Sequence, residues 1–129
     1  MSKLPHSRKL IGSDRVEGTD VYGVDGDKIG SVKNLLIEKR GGQVKDVIVS
    51  VGGFLGIGSK LHSLPWSKFD YDTDLEGYRL NVTEDQLKDA PSYKENDQDR
   101  PYDTDYQSKV YTYWDEDPYW DGDRPAGRP

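Results

Sequence analysis

The stretch Gln43-Val44-Lys45-Asp46-Val47-Ile48-Val49-Ser50-Val51 decides the fold. In an extended chain Val47, Val49 and Val51 point to one side and Asp46, Ile48 and Ser50 to the other, a period of two carried by β-branched residues. This is strand patterning, and it requires one face to be buried. Immediately upstream stands Gly41-Gly42, and further back Asp25-Gly26, pairs that enter positive φ without steric cost and suit tight hairpins. Two hairpins are therefore expected: residues 19–22 with a long strand over 28–39, and that long strand with residues 43–51. The long strand is irregular, with Ile29 and Val32 three apart and Leu35, Leu36 and Ile37 consecutive, so a bulge or sharp bend is expected in it.

Downstream, residues 60–64 run to Pro65, residues 66–71 alternate again, and Tyr78, Leu80 and Val82 share a face, which adds three strands. A short helix follows. Thr83 can cap it, Gln86 stands three residues later as a capping box requires, Leu87 faces inward and Pro91 prevents continuation. The fold class is mainly β: a small barrel with a short helix after its last strand, and then a tail. The expected divisions are a basic lead-in over 1–13, the barrel over 14–93 and an acidic, aromatic-rich tail over 94–129.

Composition narrows the function. The 129 residues have a mean hydropathy of -0.92 and are 33% charged, and no apolar run nears the roughly 20 residues that span a bilayer. The basic start is not followed by the apolar core of a secretory signal, so a cytoplasmic location is expected. Cysteine is absent, which excludes disulfides, thiolate metal sites and a cysteine nucleophile. A net charge of -6 opposes binding to polyanions, so no direct contact with nucleic acid is expected.

Three motifs carry candidate chemistry. Gly52-Gly53-Phe54-Leu55-Gly56-Ile57-Gly58-Ser59-Lys60 has the glycines of a phosphate loop, but Ser59 precedes Lys60 and a strand follows where that loop needs a helix. A hairpin loop displaying Phe54, Leu55 and Ile57 for docking is the better account. Asp70, Asp72, Asp74 and Glu76 alternate like the opening of a calcium loop, yet Leu75 stands where that loop requires glycine and Asn81 where it requires glutamate. A solvated turn is expected there, and no metal site. His6 and His62 are the only histidines, and Ser63 and Ser67 flank Pro65-Trp66 without a nucleophile-elbow pattern. No catalytic residue and no cofactor is assigned; the chain reads as non-enzymatic.

The tail is the other candidate surface. Residues 94–129 carry seven of the fourteen aromatic residues but one Val and no Leu, Ile or Phe, so the segment is expected to lie outside the core. Tyr102, Tyr106, Val110 and Tyr113 are spaced four, four and three, which aligns them on one face of a helix starting near Asp103, with Trp114 close by. Tyr106, Tyr113, Trp114 and Trp120 are the candidate partner contacts, since Tyr and Trp are enriched at binding hot spots. Ten acidic side chains against five basic allow instead a disordered tail; a helix packed on its own barrel is the third alternative.

Leu10-Ile11-Gly12, Asp20-Val21-Tyr22, the run from Asp25 to Val32, the run from Val47 to Gly58, Leu64-Pro65-Trp66, and Asp85-Gln86-Leu87 with Ala90-Pro91 form an ordered series. In order and spacing it resembles the PRC-barrel family over about residues 10–93. The family is named for the cytoplasmic domain of the photosynthetic reaction centre H subunit and includes the C-terminal domain of a small-subunit ribosome maturation factor. The resemblance implies action through protein contacts: an adaptor or scaffold for an unidentified protein partner, self-association included. The alternatives it implies are assembly or regulation of a membrane electron-transfer complex, by peripheral contact with that complex, and then association with ribosomes.

Overall fold

The computed structural model describes residues 9–52 and 58–122. A single helical turn, α1 (Ser13–Val16), leads into β1 (Asp20–Tyr22), β2 (Lys28–Ile37), β3 (Val44–Val51), β4 (Lys60–Pro65), β5 (Phe69–Asp72) and β6 (Gly77–Leu80). Then come α2 (Glu84–Asp89), β7 (Ser92–Lys94), α3 (Thr104–Tyr113) and α4 (Tyr119–Gly122). Both turns read from the sequence form, with Gly26 at φ 85° and Gly42 at φ 74°. Residues 66–68 make a 3-10 turn, so the strand expected over 66–71 begins only at Phe69.

The strands lie in one seven-stranded sheet in the order β5-β6-β1-β2-β3-β4-β7, which leaves β5 and β7 as its two ends; the curled sheet does not close by hydrogen bonds. All pairs are antiparallel except β1 with β6. The expected irregularity of β2 is present as register shifts between Val32 and Asn34 and between Leu36 and Ile37. Beside them Gly30 lets β2 and β3 approach: a Cβ there would stand 2.7 Å from the Ser50 carbonyl oxygen. No larger residue fits without moving backbone.

The inner face gathers Val21, Ile29, Val32, Val47, Val49, Leu64, Leu80 and Leu87, all buried. Thr83 caps α2 with the full capping box: its Oγ1 accepts from the Gln86 N–H at 3.0 Å, and Gln86 Oε1 accepts from the Thr83 N–H at 2.8 Å.

The second face of β3 departs from the expectation of one buried side. Asp46 and Ile48 are as buried as their neighbours Val47 and Val49. Their cover is α3, and this corrects the placement of residues 94–129 outside the core, because Tyr106, Val110, Tyr111 and Trp114 belong to the hydrophobic cluster. Tyrosine and tryptophan supply here the apolar area that the missing aliphatics do not. The helix starts where the spacing placed it, with Asp103 accepting from the Tyr106 N–H at 3.1 Å. Its buried stripe differs: Tyr102 is 66% and Tyr113 40% exposed, while Tyr111 lies inside.

Candidate partner-binding groove

The hydroxyls of α3 bind the helix to the sheet and to α2. Tyr106 Oη donates to the Pro91 carbonyl at 3.1 Å and accepts from the Ser63 N–H at 3.2 Å. Tyr111 Oη donates to Asp46 Oδ1 at 2.6 Å, and Tyr113 Oη donates to the Gln86 carbonyl at 2.6 Å. Beyond the helix, Glu116 accepts from Ser67 Oγ at 2.9 Å and pairs with Lys68 at 3.2 Å.

Two buried ionisable groups sit on opposite faces of the central strands. Asp46 pairs in register with Pro65 on the side under α3, whereas His62 pairs with Val49 on the inner side. Burial pushes the Asp46 carboxyl up to about 6, partly offset by the Tyr111 hydrogen bond and the charge of Lys45. Burial pushes His62 down to about 4, against the opposing pull of the Pro91 backbone. His62 Nδ1 and Trp114 Nε1 have no hydrogen-bond partner among the described residues.

A groove of about 580 Å³ runs between α3 and the end of the sheet. One wall is β7; the other is the α3 stripe Tyr106, Lys109 and Tyr113, with Arg100 at one side. Arg100 is already paired with Asp97 at 2.8 Å, while Lys94 and Lys109 have no ion pair among the described residues. Lys60, opposite Lys94 across the β4–β7 pair, lies outside the groove lining and also has no ion pair among the described residues. The groove lining sets Lys94, Arg100 and Lys109 against Asp89 and Asp97, an excess of one cation on a chain of net charge -6.

The sequence-derived contact residues are distributed unevenly around it. Tyr113 forms part of the groove wall and keeps exposed surface. Tyr106 and Trp114 are buried within the chain, and Trp120 packs edge-on against Tyr111 at 5.1 Å. Phe54, Leu55 and Ile57 lie outside the described residues. The stem of their loop is defined: Gly52 and Gly58 both adopt positive φ, and Ser59 Oγ donates to the Gly52 carbonyl at 3.0 Å. It leaves the sheet where Lys60 meets Lys94.

The carboxylate run over 70–76 covers the end of β5 and the turn into β6. Asp72 Oδ1 accepts from the N–H groups of Asp74 and Leu75 at 2.9 and 3.0 Å, and Oδ2 faces Arg79 at 3.4 Å. The Leu75 hydrogen bond, with the other donors, holds the Asp72 carboxyl below its usual range. Sequence reasoning passed over Ser92, Tyr93, Lys94 and Lys109. A three-residue strand straight after Pro91 has too few positions to display a period.

A curled β domain with β7 at the end of its sheet, beside a tyrosine-lined groove, defines a class: a small barrel-type domain. Residues 9–87 match the family described as PRC-barrel domain, and the chain belongs to that family. An uncharacterized protein of Deinococcus radiodurans is 35% identical over 77 residues, which cover 60% of this chain and 27% of that one. Among solved structures, a putative 16S ribosomal RNA processing protein RimM from Pseudomonas aeruginosa is similar at 18% identity with a TM-score of 0.39. That match covers 64% of this chain and 48% of the other. The chain therefore spans about a quarter of the one relative's length and about half of the other's. No helix among the described residues is long and apolar enough to cross a membrane.

Proposed function

We propose that this protein is a non-enzymatic interaction module that docks a protein partner in the groove between β7 and α3. The observation that carries this reading is the coincidence, at one end of the sheet, of an exposed tyrosine with lysines that have no ion pair and a strand edge that has no neighbour among the described residues. Each supports binding by its own physics: tyrosine gives contact area with few rotors to freeze, cations steer a partner, and a strand edge offers main-chain hydrogen bonds. The loop carrying Phe54, Leu55 and Ile57 starts beside the groove, which supports an extended contact that includes it, and Trp120 belongs to the same tail.

Docking onto a membrane redox complex or onto the ribosome would be particular cases of this contact, told apart by the identity of what is bound. The test is affinity capture from the native cell with wild-type protein and Tyr113→Ala in parallel. A partner held by the wild type and depleted in the variant is expected. Equal retention by both removes the groove from the account.

A further inference from the structure

We infer that the groove takes an acidic segment in extended conformation, which adds to the sheet as a strand along the outer edge of β7. This rests on the docking reading above and specifies the partner's chemistry. The register fixes what the edge offers. Ser63 N–H donates to Tyr106 Oη rather than to β3, so this amide points away from β3, toward the β7 side. By the two-residue period of a strand, Leu61 points the same way. Leu61 is paired with Tyr93, so Tyr93 turns its N–H and C=O inward to β4. Ser92 and Lys94 therefore turn theirs outward.

Of those outward groups, the Lys94 carbonyl is taken by the Asp97 N–H at 2.9 Å. The Ser92 N–H, the Ser92 carbonyl and the Lys94 N–H have no partner among the described residues. They match the spacing that an antiparallel strand would fill: a reciprocal pair at Ser92 and one further bond at Lys94.

Charge selects the occupant. Side chains of an added strand would alternate between the two sides of the sheet. On the α3 side they meet Lys109 and Tyr113; on the other they meet Lys94 and Lys60, and none of these lysines has an ion pair among the described residues. Asp89 is the one groove carboxylate without a cation partner, because Asp97 holds Arg100. An alternating acidic strand thus finds opposite charge on both sides. A second copy of β7 would set Lys94 against the same cations, which disfavours edge-to-edge pairing of the protein with itself.

The test uses the full chain and a fluorescein-labelled octapeptide of alternating Val and Glu, read by fluorescence anisotropy. Three comparisons accompany it: the Val/Lys counterpart, the Val/Glu peptide N-methylated at alternate amides, and the protein variants K94E/K109E and Ser92→Pro. Saturable binding of the acidic peptide is expected, weakened about tenfold or more by the double charge reversal. It should also be lost on backbone methylation and in Ser92→Pro, which deletes an outward N–H and leaves the Tyr93 bonds to β4 in place. Melting temperatures confirm that each variant is folded; if Ser92→Pro is not, the methylated peptide decides the main-chain question alone. Equal binding of the methylated peptide, of the Val/Lys peptide or to K94E/K109E overturns the proposal, as does no binding at all. If the peptide fails while Tyr113→Ala still releases a native partner, the groove stands as a docking surface and only its strand-addition chemistry falls. A dimer in light scattering that Ser92→Pro abolishes would replace the acidic partner by a second copy.

Discussion

The two buried ionisable groups give a pH dependence that is visible only when one of them is removed. Asp46 is raised from 3.8 to about 6 in the folded state, so the native protein holds this proton more tightly than the unfolded chain. Its contribution to stability is fully present below pH 3.8 and is lost as pH rises through about 6. His62 is lowered from 6.5 to about 4, so its contribution is present above pH 6.5 and is lost as pH falls through about 4. Each amounts to about 3 kcal/mol at 1.36 kcal/mol per pH unit. Between about pH 4 and 6 the slopes oppose each other, and their joint contribution is nearly flat. Asp46→Asn keeps an oxygen for the Tyr111 hydroxyl and leaves His62 uncompensated. Relative to wild type, this variant should lose about 3 kcal/mol between pH 6 and 4. His62→Gln should gain a similar amount over the same interval. Urea unfolding at pH 4, 5, 6 and 7 measures both, and comparison with wild type cancels the other carboxylates, Asp72 included. Identical pH slopes for wild type and Asp46→Asn would refute the burial of an ionisable carboxyl under α3.

Two further predictions concern the hold of α3 on the sheet. Tyr106→Phe removes one hydroxyl that serves both the Pro91 carbonyl and the Ser63 N–H; a loss of about 1 to 3 kcal/mol in denaturant unfolding is expected, and an unchanged midpoint would mean that water replaces the hydroxyl without cost. Deleting residues 97–129 uncovers Asp46 and Ile48 and removes Tyr106, Val110, Tyr111 and Trp114 from the cluster, so the melting temperature should fall steeply; a truncated chain that melts like the full one sinks the two-faced core.

The candidate site was only partly legible beforehand. Tyr113 was singled out by its helical spacing, and the start of the helix at Asp103 by the same signal. The spacing could not say which side of the helix meets the sheet, because Tyr102 and Tyr111 are both large aromatics and only packing ranks them. Lys94 and Lys109 gave no signal either. Lysines fifteen positions apart in an acidic segment look like ordinary solvent-facing charge until β7 and α3 stand side by side.

What the sequence by itself determined is local: the alternation over residues 44–51, the glycine turns at Gly26 and Gly42, the Thr83 and Gln86 capping box, and the family to which their order belongs. Each is a pattern within a few residues, set by backbone sterics and side-chain period. The tertiary structure alone decided that the outer face of β3 is covered, that Asp46 is buried with a tyrosine partner, and that β7 stands at the end of the sheet with no further strand among the described residues. Those outcomes depend on pairs such as Tyr106 with Ser63 and Tyr111 with Asp46, separated by 43 and 65 positions. The apolar cover came from Val110 and aromatic residues, in a segment that, counted by its aliphatics, had a single residue to bury.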